Sequence, residues 1–303
     1  LANDPHLGLG APGTWYLARL ETPEGVWAGA TAPGVPGIVI GHNGSAAWGF
    51  TTPHSDTQDL VAESLLEGDE DSYLTPEGPQ KLEVCTEEIR LRDGSSEEVR
   101  LRRGRFGPVI SEEAGLGDDR VLTLAWPALQ EADTSADGLV RLNKARSLED
   151  FVAAQKRFVA PQQNIFFATQ DGTIAFGSPA LVPLRDGHDG SLPVDGANRS
   201  RIWTGFLPFD ALPQAVNPPE GILINANNRP VGPDYPHLLG TRWPEPYRAE
   251  RIQEVLESRD RHSFSDMQAL QMDVVSPMAR DLLPLLLAPA PAPGAASEAH
   301  ELL

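Results

Sequence analysis

The chain has 303 residues, with 24 Lys and Arg against 43 Asp and Glu, a formal net charge of −19 at pH 7 and 40% hydrophobic residues. That length and apolar fraction support one large domain or two modest ones. The negative field repels phosphate backbones and anionic headgroups, so neither nucleic acid nor a membrane is an expected partner. The single cysteine, Cys85, excludes an internal disulfide and a multi-thiolate metal site.

Gly and Pro together make up 56 residues, 28 of each, which predicts many turns and extended segments. Short apolar runs at residues 14–20, 37–40, 46–52 and 60–64 read as strands of one sheet. Residues 81–91 and 98–102, joined across Asp93-Gly94, read as a hairpin with one wet face. A strand over 121–126 follows, and Ser147 ahead of Glu149, Asp150, Phe151, Val152 and Phe158 marks a helix start. Asp171-Gly172 predicts a second hairpin between 164–168 and 173–176. The continuous apolar run 221–226 reads as a buried strand, and helices are predicted over 247–257 and 265–287 with a break at Pro277. Residues 288–294 alternate Ala and Pro and read as a linker or a cut edge. No apolar run reaches the roughly 20 residues that a bilayer span requires. Leu1 to Asn3 carry no start methionine or export signal, so the chain reads as trimmed at its front. Strands that do not alternate one for one with helices point to α+β layers.

Gly8, Gly10 and Gly13 spell G-x-G-x-x-G, but a strand-like run stands where a dinucleotide site needs a helix, so they read as a bend. Asp186, Asp189 and Asp195 lack EF-hand spacing and read as a solvated loop. No H-E-x-x-H, P-loop lysine or G-x-S-x-G occurs.

Several separated blocks are more specific. They are Asn3-Asp4-Pro5-His6-Leu7, the turn 33–37, Gly41-His42-Asn43-Gly44, Ala47-Trp48-Gly49-Phe50-Thr51-Thr52, and the stretch 56–60. Farther on come residues 164–172, Gly187-His188-Asp189, Leu192-Pro193-Val194, Trp203-Thr204-Gly205, Asn225-Ala226-Asn227-Asn228-Arg229-Pro230 and Tyr235-Pro236. In order and spacing, from residue 1 to about 260, they resemble the catalytic β-chain of the penicillin acylase family, with homoserine-lactone and cephalosporin acylases similar in the same blocks.

The resemblance implies an incomplete αββα fold of the N-terminal-nucleophile hydrolases. The expected segments are a core sheet begun by 1–60, a β-rich insertion over 61–150, a second core part over 151–245 and a helical segment over 246–303. It implies a small-molecule N-acyl amide substrate, a precursor that cuts itself, and export to the periplasm or the medium. The nucleophile would be an N-terminal serine roughly 17 residues before Leu1, activated by its own α-amine. That serine, the α-chain and the rest of the β-chain would be missing here, leaving the fragment inactive alone.

By residue, the resemblance places Asn227 and the N–H of Thr52 as oxyanion donors; Asn227 could equally turn the chain ahead of Pro230. His6 would lie beside the nucleophile, or be structural. Arg248 would stand near the substrate and Asn227, or be a surface cation at a helix start, where the dipole disfavours it. Leu7, Val39, Ile40 and Phe50 would line an acyl pocket favouring flexible chains over an aryl group, and ordinary core burial explains them as well. Asp56, Gln58 and Asp59 match part of a structural calcium site, with an acidic loop end as the other reading. A rival function is a non-catalytic, acidic, calcium-stabilised ligand-binding module.

Overall fold

The computed structural model describes residues 1–8, 10–111 and 120–288; the Ala/Pro stretch of the tail lies almost wholly outside them. Four antiparallel strands open the main sheet: β1 (Tyr16–Thr22), β2 (Gly25–Thr31), β3 (Ile40–His42) and β4 (Ala46–Thr51). The sheet continues through β12 (Asn164–Thr169) and β13 (Ile174–Gly177) to β17 (Gln214–Val216), in the order β1-β2-β3-β4-β12-β13-β17. Asp171-Gly172 turns the β12–β13 hairpin as expected, with Gly172 at φ +95°. Only a residue free of a Cβ takes that conformation cheaply.

Residues 60–64, expected in the same sheet, belong to β5 (Asp59–Leu66) of another one. It pairs with β11 (Arg120–Ala125), with β6 (Asp69–Thr75), which continues to β7 (Gly78–Lys81), and in parallel with β15 (Val194–Asp195). The chain leaves the main sheet at Thr52 because Pro53 cannot donate to a ladder. The expected hairpin forms as β8 (Glu83–Arg90) and β9 (Ser96–Gly104), with β10 (Gly107–Pro108) beside it. Nearly all of β8 and β9 is exposed on both faces, rather than on one. A small ladder joins β14 (Pro183–Arg185) to β16 (Trp203–Phe206).

One face of the main sheet is covered by α1 (Ser135–Lys144) and α2 (Leu148–Gln155). Ser147 and Asp150 form a reciprocal capping box that starts α2, satisfying two orphan N–H groups. The sequence reading missed α1, whose Asp137, Gly138 and Asn143 are poor helix formers. Tertiary contacts hold it instead. Leu139 and Leu142 pack with Trp48, Phe151, Ile165 and Phe167, the Phe151 and Phe167 rings stacking at 4.6 Å. The buried Asn143 side chain accepts from Ile38 N and donates to Ile38 O, at 2.7 and 2.8 Å.

The opposite face looks onto segment 221–226, which is mostly half-buried and pairs with no strand among the described residues. The buried strand expected here does not form: the segment pairs with no ladder and is only partly covered. Beyond it lie α3 (Tyr247–Glu257), α4 (Phe264–Gln271) and α5 (Pro277–Leu287). The expected 265–287 helix is interrupted over 272–276, and Pro277 opens α5 at a position where its missing N–H costs nothing. No described helix is long and apolar enough to cross a membrane.

Within the β5 sheet, Glu63 is fully buried, and burial pushes its carboxyl up to about 7 against the opposing pull of Arg105 and the Thr123 hydroxyl. The folded state therefore holds a proton that the unfolded state, near 4.5, has released. Stability from this group is complete below that lower value and is lost as pH rises through about 7. Each tenfold difference in proton affinity between the two states is worth about 1.4 kcal/mol, which makes the loss about 3 kcal/mol. Urea unfolding at about pH 5 and about pH 8 is expected to show this fall in the wild type and little of it in Glu63→Gln.

Candidate functional site

The site lies where β4 ends. Thr51 and Gly49 face segment 221–227 across a cavity of about 580 Å³, whose walls also include Phe166, Ala168, α3, α4 and residues 1–4 with His6. Short-range chemistry explains why this corner is held in place. The Asn225 carboxamide oxygen accepts from the Thr51 hydroxyl at 2.6 Å, Asn164 Nδ2 at 3.2 Å and Asn227 N at 2.9 Å. The Asn225 Nδ2 donates to Asn228 O, and Asn228 Oδ1 accepts from Ala226 N. These bonds tie the turn 225–228 to both β4 and β12. Asn227 sits at φ +68°, a left-handed conformation that asparagine tolerates better than most residues.

Asn227 Nδ2 donates to Thr52 O at 2.9 Å, while its Oδ1 accepts from Arg248 Nη2 at 2.9 Å. The same guanidinium nitrogen donates to Ala226 O at 2.7 Å. Arg248 thereby settles which end of the carboxamide points toward Thr52, since a guanidinium can only donate. The three residues come together as expected. The Thr52 N–H makes no hydrogen bond among the described residues, so a free backbone donor and a carboxamide NH₂ with a second unused hydrogen stand side by side.

His6 lines the same cavity, exposed and 3.5 Å from the Asp4 carboxylate. The four expected acyl-pocket residues are not gathered there. Leu7 is 52% exposed. Phe50 packs with the α1–α2 core, because β4 turns alternate residues to opposite faces and it is Gly49 and Thr51 that face the cavity. Val39 and Ile40 are half-buried and do not line the cavity. The expectation that Phe50 shares a face with the acyl site is therefore corrected.

Asp56 and Asp59 do converge, but around Arg185. Its Nε bonds both Asp59 oxygens, and its Nη2 bonds Asp56 O and Oδ1. Trp203 Nε1 adds a bond to Asp59 Oδ2 at 2.6 Å. Gln58 is exposed, and its N–H lies 3.4 Å from Asp56 Oδ1. Burial pushes the Asp56 carboxyl up, opposed by Arg185 and reinforced by Asp59. Among the described residues no group of three or more His, Cys, Asp or Glu side chains could hold a metal ion.

Functional residues that the sequence reading quoted without a role are Asn3, Asn164 and Asn225. Asn3 clamps β4 by accepting from Phe50 N at 2.6 Å and donating to Phe50 O at 3.1 Å. A side chain on Gly49 would collide with that carboxamide. Gln271 on α4 donates to Asn3 O, closing the cavity wall.

Comparison with known proteins identifies the family of the chain. The family model described as penicillin amidase matches residues 1–303. The chain is 32% identical over 278 residues to penicillin acylase 2 proenzyme of Pseudomonas sp. (strain SE83), covering 91% of this chain and 36% of that protein. It is 30% identical over 288 residues to acyl-homoserine lactone acylase QuiP of Pseudomonas aeruginosa, covering 91% and 34%. A solved thermostable penicillin G acylase from Alcaligenes faecalis superposes with a TM-score of 0.81 at 26% identity, over 96% of this chain and 53% of that one. The chain thus spans about a third of the length of these curated relatives. The α+β fold is that of the N-terminal-nucleophile hydrolases. With a family model covering its whole length, the chain belongs to the penicillin amidase family.

Proposed function

We propose that the complete protein hydrolyses N-acyl amides, with the Thr52 N–H and Asn227 Nδ2 holding the oxyanion that forms when a nucleophile attacks the amide carbonyl. The observation that carries this is the Arg248–Asn227–Thr52 chain of hydrogen bonds, which holds Asn227, a residue of the cavity wall, against Thr52. Donors fixed before charge develops need no reorganisation when it does. The nucleophile in this reading is an N-terminal serine outside this chain, released from a precursor and exported with it. Two observations agree. The Thr51 hydroxyl at the cavity is committed to Asn225. Ser276 caps α5.

His6 stands on the cavity wall, where an imidazole could pass a proton. Penicillin-type side-chain amides and acyl-homoserine lactones are the two substrate classes, after the relatives' names. Chromogenic phenylacetyl and alkanoyl anilides distinguish them. Turnover is expected from the complete protein and none from the 303-residue chain by itself. Binding of these anilides by the complete protein without any turnover would favour the ligand-binding module instead.

A further inference from the structure

The family's structural cation would fall at Asp56 and Asp59, and those two carboxylates already share one cation supplied from within the chain. Asp59 is buried at the start of β5, with its side chain 1% exposed, and Asp56 lies in the segment that joins it to β4. Arg185 arrives from the end of β14, 126 residues beyond Asp59, with its side chain only 3% exposed. The β14–β16 register shifts between Leu184 and Arg185, and such an irregularity re-aims a side chain. The backbone of Gly190 then lies over the guanidinium, where a Cβ would stand 2.7 to 2.8 Å from Nε, Cζ and Nη2. His188 completes the surroundings, with Nδ1 3.9 Å from Asp59 Oδ1.

The oxygen count decides what this arrangement can hold. Calcium needs 6 to 8 oxygen ligands at about 2.3–2.6 Å. Here Asp56 O, Asp56 Oδ1 and both Asp59 oxygens accept from the guanidinium at 3.0 to 3.2 Å, and Trp203 takes a further lone pair of Asp59. A divalent ion would have to displace a buried, permanently charged group that a glycine backbone covers, or share two carboxylates with it. Of the three guanidinium nitrogens, Nη1 is the one without an acceptor among the described residues, and His188 Nδ1 beside it likewise has no hydrogen-bond partner.

We propose that Arg185 is a built-in cation that takes the place of calcium at the Asp56–Asp59 corner, and that this protein holds the corner without a metal. Its structural task is to anchor the segment 52–58, which carries the Thr52 donor at its other end. Asn227, Trp243 and Leu239 hold that segment at Thr52 O, Pro53 O and Asp56 N. Arg185 is thus a positioning residue, with no contact to the reacting atoms.

The test uses the complete protein, thermal unfolding with and without a chelator or added calcium chloride, and elemental analysis for bound calcium. The wild type is expected to carry no stoichiometric calcium and to unfold at the same temperature under all three conditions. Arg185→Gln leaves the buried Asp59 and the half-buried Asp56 with no cation, so its midpoint is expected to drop by roughly 5–10 °C and to recover partly with calcium. Should that variant fail to fold, Arg185→Lys, which keeps the charge, is expected to fold with a smaller drop and still to ignore calcium. Stoichiometric calcium in the wild type that disappears in Asp56→Asn would overturn the proposal. So would a chelator-sensitive Arg185→Lys, or an Arg185→Gln as stable as the wild type.

Discussion

Replacing Asn227 by alanine in the complete protein is expected to lower kcat by on the order of a hundredfold or more, with KM changed little. The ground-state amide carbonyl is a weak acceptor, while the oxyanion is a strong one, so a donor at this point acts mainly on the transition state. The geometry sharpens the expectation. One Nδ2 hydrogen is spent on Thr52 O and the carboxamide oxygen on Arg248, which leaves a single Nδ2 hydrogen for an oxyanion. Asn227→Asp keeps the shape, removes both hydrogens and sets a negative charge where negative charge must develop. It is expected to be slower than the alanine variant. Steady-state kinetics on one anilide decides the matter, and an Asn227→Ala with wild-type kcat would leave this residue a turn former only.

Arg248→Ala is expected to reduce kcat by roughly ten- to a hundredfold while shifting the unfolding midpoint little. Arg248 is exposed, so its removal leaves no buried cavity. What is lost is the bond from Nη2 to Asn227 Oδ1 and the bond to Ala226 O, which together orient the carboxamide at its left-handed position. A misplacement of about 1 Å in a positioned group can cost about a hundredfold. Lysine, with three donors, is expected to restore part of the rate and methionine none. In the Asn227→Ala background, Arg248→Ala is expected to have little further effect, because the group it orients is gone. Full additivity of the two losses would instead place Arg248 directly on the substrate.

Local signals in the chain predicted much of the frame. Asp171-Gly172 turns its hairpin, Ser147 starts α2 and the apolar spacing of 247–257 forms α3. The resemblance of the blocks at 47–52 and 225–230 brought Thr52 and Asn227 into view before their 175-residue separation closed to 2.9 Å. The same reading set Phe50 on the site's side of β4, because it took its parity from Thr52, which lies past the strand's last residue. A strand's alternation holds only inside the ladder. Helix α1 escaped notice because Gly138 weakens its propensity; packing of that glycine against Phe158 is what recommends it there.

Sequence alone determined the acidic, strand-rich α+β class, the family, and the residue types at the Thr52–Asn227 corner. These depend on composition, on neighbours within a few positions, and on ordered blocks along the chain. Tertiary structure decided which long-range partners those residues have. Asn225 became the hub joining β4 and β12, Asn3 the clamp on Phe50, and Glu63 the carboxyl raised by burial. It also decided that Asp56 and Asp59 face a guanidinium from 126 to 129 residues away. Two acidic residues three positions apart can serve a metal, an arginine or the solvent equally well. Which cation they meet depends on where β14 delivers Arg185, and only the folded chain brings that strand to them.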